Sequence, residues 1–281
     1  MGAYARAVPA VSQPIVTWNP FVSISDAWRR IVESRELIAF DLLDDWTIHY
    51  AFQGVQKEVR TAYAKLFDRA DIITANAEGT VDLAKRFGRD DVVLLPNGCD
   101  PDRFLTESRA TGPLTVGYVG KIGRRLNLEL ILHCANALPR AKFVFAGPIL
   151  DSEYKAPLES TPNIDLLGDV HYTDVPQLLT HFDVGWVPHR VGSGEVGGDV
   201  IKTYEYRAAG LPVLSTPVGG VKERGLDAVY ALDPSEHADW LTGAQAKSGR
   251  VNRIVTPLPT SVKWSAKADL ILNKLGLAGA L

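Results

Sequence analysis

The chain has little sulfur: two cysteines and one methionine among 281 residues. Cys99 and Cys134 fall in different candidate units, and neither sits in a C-x-x-C or other ligand spacing. That excludes a disulfide scaffold and a cysteine-based zinc site, and makes a reducing cytoplasm the expected compartment. Long apolar runs are also lacking; none approaches the roughly 20 residues of a membrane-spanning helix, so stable membrane insertion is not expected. The opening "MGAYARAVPAV" carries one arginine and no extended apolar core, so it makes a poor signal peptide, and Gly2 lacks the Ser or Thr at position six that myristoylation favours. Nor is there an excess of positive charge: 30 Lys and Arg face 33 Asp and Glu, a formal net charge of -3. A broad field recruiting nucleic acid or anionic lipid is therefore excluded, although a local basic patch is not.

What is present suits a globular protein. Hydrophobic residues make up 46% of the chain, charged residues 22% and aromatic residues 9%, enough apolar material to fill two cores and to exclude a disordered chain. A length prior of about 150 residues per domain points to two domains. Short apolar runs alternate with helical spacing throughout. "PIVTW", "ELIAFD", "DIITAN" and "VVLLPN" read as strands in the first half, separated by "SDAWRRIVES", "YAFQGVQKEVRTAYAKLFDRA" and "AEGTVDLAKRFG". "DPDRFLTESRATGP" has two prolines and no sustained period, which predicts a linker. The alternation then restarts with "LTVGYVG", "AKFVFAG", "NIDLLG", "FDVGWVP", "LPVLST" and "AVYAL". Runs bounded by Gly and Pro fit strands buried on both faces, and repeated β–α alternation implies parallel sheets. The expectation is an α/β protein with two Rossmann-like domains: residues 1–107, residues 108–262, and a C-terminal helix over 263–281 packing back toward the first domain.

Ligands of such sheets sit at the carboxyl ends of strands, beside helix N-termini. After "LTVGYV", Gly117, Gly120 and Gly123 form a G-x-x-G-x-x-G run, which is neither the dinucleotide fingerprint nor a Walker pattern. The turn at Gly120 is followed by Lys121, Arg124 and Arg125 before a helix, a setting for a diphosphate or simply a solvated basic turn. After "FDVGWVP", His189 and Arg190 directly follow the strand. A loop with Gly192, Gly194, Gly197 and Gly198 then carries Glu195 and Asp199, and the next helix presents Lys202 and Glu205 before ending at Gly210. Lys202 and Glu205 form either an i,i+3 pair on an exposed helix or part of a site. In the first half, Asp44 and Asp45 suggest either a metal-bound diphosphate, a cap on a helix starting near Trp46, or a group facing an acceptor. His49 lies one turn on, and Asn97 with Gly98 predicts a turn. Cys99 has no accompanying histidine and is no candidate nucleophile.

"VGYVGKIG", "FVFAGP", "NIDLLGDV", "LLTHFDVGWVPH" and "KTYEYRAAGLPVLST" resemble the nucleotide-sugar-binding domain of GT-B glycosyltransferases, especially the retaining GT4-like group. "FDLLDDWTIHY", "ADIITANAEGTVDLAKRF" and "VVLLPNGCDPDRF" extend the resemblance over the first half, the D-D-W segment matching an envelope-sugar branch. The resemblance implies that Glu205 binds the ribose, that Lys121 to Arg125 hold the diphosphate, and that Gly168 to Val170 line the base pocket. Gly120, Arg190 and Lys202 join that donor set. Glu195, Asp199, Asp45 and His189 are the candidates for catalysis, and Asp44 and His49 for the acceptor side. Two departures stand out. Gly197 occupies the position where relatives carry a first, sugar-handling acid, leaving Glu195 or Asp199 for that role. The opening strand, glycine turn and helix of relatives are missing, so the N-terminal domain is expected to be reduced. The implied activity is transfer of a sugar from a UDP- or GDP-sugar to an acceptor hydroxyl, with retention, no cofactor and no metal. The acceptor is an envelope saccharide, a lipid-linked sugar, a protein or a modified nucleic-acid base, and the alternative is a non-catalytic nucleotide-sugar-binding module. The location follows as cytoplasmic, peripheral to a membrane, or viral within a host cytoplasm.

Overall fold

The computed structural model describes residues 12–192, 195, 197–248 and 250–277; Gly194 and the opening stretch "MGAYARAVPAV" lie outside them. Contacts divide the chain into two units: Met1–Asn97, Val196–Asp199 and Trp264–Leu281 form the first, Gly98–Glu195 and Val200–Lys263 the second.

The first unit is built on a four-stranded, wholly parallel sheet in the order β1 (Ile15–Thr17), β2 (Ile38–Leu42), β3 (Ile72–Ala75), β4 (Val93–Leu94). β2 is buried along its whole length, as a central strand of a parallel sheet requires, with Asp41 its one charged residue. Helices α1 (Trp28–Glu33), α2 (Gln56–Arg69) and α3 (Glu78–Arg86) accompany it. α2 buries Val59, Ala62, Tyr63, Leu66 and Phe67, an i, i+3, i+4, i+7, i+8 stripe, against Phe40 and Ile73. The single long helix expected over "YAFQGVQKEVRTAYAKLFDRA" is broken. Tyr50–Val55 is a 3₁₀ turn started by the His49 side chain, and only Gln56 onward is α-helical. The helix Trp264–Lys274 belongs to this unit through a buried charge: Lys267 Nζ lies 3.0 Å from Asp41 Oδ2 and 3.4 Å from Asn97 Oδ1. The Thr74 hydroxyl donates to Asp41 Oδ1 at 2.7 Å, completing the carboxylate's partners.

The second unit carries a six-stranded parallel sheet. Its strands are β5 (Thr115–Val119), β6 (Lys142–Ala146), β7 (Ile164–Gly168), β8 (Val184–Val187), β9 (Val213–Ser215) and β10 (Val229–Ala231), arranged β10-β9-β8-β5-β6-β7. Helices α4 (Leu128–Ala137), α5 (Lys155–Glu159), α6 (Val175–Leu179), α7 (Ile201–Ala208) and α8 (His237–Ser248) complete it. α4 starts where the Asn127 side chain accepts the Leu130 N–H at 3.1 Å. The core centres on Trp186, Phe143 and Phe145, and the indole N–H of Trp186 donates to His237 Nδ1 at 3.0 Å.

The break expected near residue 107 falls instead between Asn97 and Gly98. The stretch read as a linker is part of the second unit. Cys99 pairs with Lys263, and Phe104 is buried with Val200, Tyr204 and Tyr206. Among the described residues no helix is long and apolar enough to cross a membrane.

Candidate donor site of the second unit

The chain leaves β5 for β6 and β7 on one side of the sheet, then returns to place β8 on β5's other side. Strand order therefore reverses between β5 and β8, and the crevice at their carboxyl ends is where open α/β sheets bind ligands. Sequence places "GKIGRR" after β5 and "PHR" after β8, so both candidate loops arrive at this switch point.

Gly120 turns the first loop at φ +142°, a conformation that side chains rarely adopt. A Cβ there would stand 2.5 Å from Lys202 Cε and 2.8 Å from its Nζ, so the end of that side chain would have to shift. The loop is held from below: Gly120 N–H donates to Ala146 O at 2.7 Å and Ile122 N–H to Pro148 O at 2.9 Å. Lys121 is exposed, and its carbonyl accepts the Tyr118 hydroxyl at 3.0 Å. Arg124 is already engaged, with Nε 3.3 Å from Asp151 Oδ1 and 3.4 Å from Glu153 Oε1. Arg125 is held differently; its carbonyl accepts the Arg190 N–H at 2.9 Å, and its charge bears on His189 and Lys202. Arg190 reaches the Tyr154 hydroxyl at 3.4 Å.

Lys202 opens α7. Among the described residues it makes no ion pair, so the i,i+3 partnership with Glu205 open to it on sequence is not formed. Its Nζ lies 5.4 Å from the Tyr118 ring centroid. Burial, then the neighbouring Arg125, pulls its pKa down to about 8. His189 is 4% exposed, and among the described residues its Nε2 has no hydrogen-bond partner. Burial first, then Lys202 and Arg125, hold it well below the usual histidine range, so the ring is neutral. One turn along α7, Glu205 Oε1 accepts the Tyr172 hydroxyl at 3.0 Å, and burial raises its carboxyl pKa. Tyr172 comes from the loop after β7, and the Arg103 guanidinium lies over its ring at 4.3 Å.

Beside these groups, Gly147, Pro148, Ile149, Leu150, Leu166 and Gly168 line a cleft of about 520 Å³ at the ends of β6 and β7, with Lys155 and Glu159 on its rim. Gly168 sits at φ +71°, and Val170 is half-buried against the second unit's core.

The remaining sequence candidates lie elsewhere. Glu195 Oε1 accepts the Gly192 N–H at 3.1 Å, a contact internal to its loop. Asp199 belongs to the first unit, where Oδ2 accepts the Asn97 N–H at 2.8 Å. In that unit no helix starts near Trp46, and it is Asp45 rather than Asp44 that caps the turn. Its Oδ1 accepts the Thr47 N–H at 2.8 Å, while Oδ2 pairs with Arg86. Asp45 is only 1% exposed and is occupied in folding the chain. The Asp44 carbonyl accepts the Tyr63 hydroxyl at 3.1 Å, and His49 Nδ1 accepts the Ala51 N–H at 3.0 Å. Among the described residues no group of three or more His, Cys, Asp or Glu gathers as a metal site. Sequence reading missed Tyr172 and Arg103. The signal for Tyr172 was an aromatic two residues after "GDV"; Arg103 was hidden in the presumed linker.

Two all-parallel α/β units, the second with a cationic crevice at its strand switch, agree with the GT-B fold of the chain's solved structural neighbours. Residues 113–244 match the family model described as Glycosyl transferases group 1. TuaH of Bacillus subtilis (strain 168), described as a candidate glycosyltransferase of teichuronic acid biosynthesis, is 23% identical over 240 residues. That match takes in 79% of this chain but only 57% of TuaH. Among solved structures, Anabaena Alr3699/HepE in complex with UDP superposes with a TM-score of 0.75 at 15% identity, covering 94% of this chain and 78% of that one. The UDP-forming α,α-trehalose-phosphate synthase of Burkholderia xenovorans, in complex with glucose-6-phosphate, does so with a TM-score of 0.67 at 13% identity, covering 94% and 73%.

Proposed function

We propose that this chain is a glycosyltransferase that moves a sugar from a UDP- or GDP-sugar to a saccharide acceptor hydroxyl. One observation carries the donor reading. Lys202 and His189 meet at the strand switch of the second unit, yet among the described residues Lys202 has no carboxylate partner and His189 Nε2 no hydrogen-bond partner. A half-desolvated cation without a counter-ion is costly by itself, and a diphosphate supplies the missing charge. Lys121, Lys202 and Arg125 then hold the phosphates beside the Gly120 turn, and Glu205 takes the ribose. Gly168 to Val170 and the adjoining cleft accommodate the base. Arg124 contributes less, because Asp151 and Glu153 already neutralise it.

Catalysis on this reading is positioning plus stabilisation of the departing diphosphate by cations that need no reorganisation. Those cations take the part a metal plays in other transferases. His189, neutral and buried, offers Nε2 to the donor phosphate or sugar. Retention follows from the likeness of "KTYEYRAAG" to the GT4-like group. A saccharide acceptor is supported by the company the chain keeps: TuaH is described as a candidate glycosyltransferase of teichuronic acid biosynthesis, and HepE has been solved with UDP and glucose. The first unit, with Asp44 and His49 in the segment between β2 and α2, is the acceptor side.

The test is a thermal-shift screen with UDP-, GDP-, TDP- and ADP-sugars, followed by product analysis with the stabilising donor and an oligosaccharide panel. A donor at a hundredfold over its dissociation constant stabilises by about 2.7 kcal/mol. Absence of any shift overturns the donor reading, and a shift without transfer or hydrolysis makes the chain a binding module.

A further inference from the structure

Glu205 is not an open carboxylate. Among the described residues its hydrogen-bond partner is the Tyr172 phenol, 3.0 Å from Oε1. That phenol is itself clamped, with the Arg103 guanidinium 4.3 Å above its ring. Three segments distant in sequence converge here: the 3₁₀ turn Pro101–Arg103, the loop after β7, and α7. Phe104, buried against Val200 and Tyr204, fixes the first of these on α7. Tyr172 remains 44% exposed.

We propose that Tyr172, held by Arg103, positions the Glu205 carboxylate for a vicinal diol and thereby makes this a site for ribonucleotide rather than 2′-deoxyribonucleotide donors. This deepens the donor reading above and rests on it. An ionised carboxylate offers about four lone-pair directions. Tyr172 takes one on Oε1 and stops the group from rotating. A ribose 2′,3′-diol then supplies two donors at once to acceptors already aimed. A 2′-deoxyribose supplies one and leaves a partly buried acceptor unpaired, which is the larger cost. Sites built to hydrogen-bond a hydroxyl reject the analogue that lacks it strongly for this reason.

The other groups facing Glu205 are Lys202 from its own helix, Arg103, Cys99 and Tyr206, with Asp100 facing Tyr172. Lys202 and Arg103 favour the ionised carboxylate through charge, but the phenol is the group that hydrogen-bonds it. Removing the hydroxyl therefore lets the carboxyl protonate at higher pH. A residue that merely filled space would not produce that signature.

The experiment is titration calorimetry of the full chain with UDP, GDP and their 2′-deoxy counterparts, from pH 5 to 8. The wild type is expected to favour the ribonucleotide by about tenfold or more. Tyr172→Phe raises its dissociation constant about tenfold, narrows the ribo-to-deoxy ratio, and moves the acid limb of binding to higher pH. Glu205→Gln removes the carboxyl's share of that acid limb and leaves the share of the nucleotide's own terminal phosphate. If Tyr172→Phe leaves affinity, ratio and pH profile unchanged while Glu205→Ala weakens binding, the inference fails and the donor reading stands. A wild-type ratio near one overturns the inference without any variant. If neither UDP nor GDP binds the wild type, both readings fall together.

Discussion

Lys202 is poised where a small change of environment decides its charge. Burial and the adjacent Arg125 bring its pKa down to about 8. An incoming diphosphate adds negative charge and raises it, so binding takes up protons wherever the free group is partly deprotonated. With a nucleotide sugar, whose diphosphate does not titrate in this range, the expected outcome is a binding heat at pH 8 that varies with the ionisation enthalpy of the buffer, and far less so at pH 6.5. Lys202→Ala is expected to weaken nucleotide binding by about 1.5–3 kcal/mol, the range for a hydrogen bond to a charged group, and to abolish the buffer dependence. Calorimetry in two buffers measures both. Two residues on, the chemistry differs: Glu205 and Arg207 share α7 but face opposite tasks. Arg207 Nε donates to Asp227 O at 2.6 Å and Nη1 to Leu211 O at 2.9 Å, while Nη2 reaches Ile254 O at 3.0 Å. Arg207→Ala leaves these carbonyls short of partners and is expected to cost about 3 kcal/mol of stability in urea denaturation. Glu205→Ala, which orphans only an exposed phenol, is expected to change stability by less than about 1 kcal/mol while sharply weakening donor binding.

At the scale of elements, β8 is fastened to α8 by a histidine that must stay neutral. Trp186 donates to His237 Nδ1, and His237 Nε2 faces Leu232 O at 3.2 Å. Burial lowers the pKa of His237 below its ordinary value near 6.5, and burial with two nearby cations does the same for His189. Protonation costs more in the folded than in the unfolded chain, so their contribution to stability is present above pH 6.5. It is lost as pH falls from there through the folded values, at no more than about 1.4 kcal/mol per pH unit per group. Urea midpoints measured between pH 7.5 and 5 are expected to fall, and His237→Gln is expected to fall less steeply over the same range. Among elements the loops show the limit of pattern reading. Glycine spacing located the turn after β5. Which cation stays available was settled by Asp151 and Glu153, brought to Arg124 by the loop after β6.

At the scale of the molecule, the helix Trp264–Lys274 shows how a distant segment completes a sheet. Lys267 places its ammonium against Asp41 on β2, with both groups buried. Lys267→Met leaves Asp41 an uncompensated buried charge and is expected to cost about 3–5 kcal/mol. Pairing it with Asp41→Asn is expected to restore much of the loss, and a double-mutant cycle in urea reads the difference. Nothing in "WSAKADLILNK" marks Lys267 as a core residue, because helical spacing treats it as one more solvated charge. The unit boundary was illegible for a similar reason: "DPDRFLTESRATGP" is polar and irregular, yet Phe104 and Arg103 pack on α7 and Tyr172. By contrast, the alternation of short apolar runs with 3.6-period segments determined the two parallel α/β units and the loops in which ligand groups sit, since strand and helix periodicities are local properties of the chain. Tertiary structure alone decided the reversal of strand order between β5 and β8, the occupation of Asp45 and Arg124 by partners, and the meeting of Arg103, Tyr172 and Glu205. These depend on groups tens of residues apart, whose proximity is set by sheet order and core packing rather than by any nearby stretch of sequence.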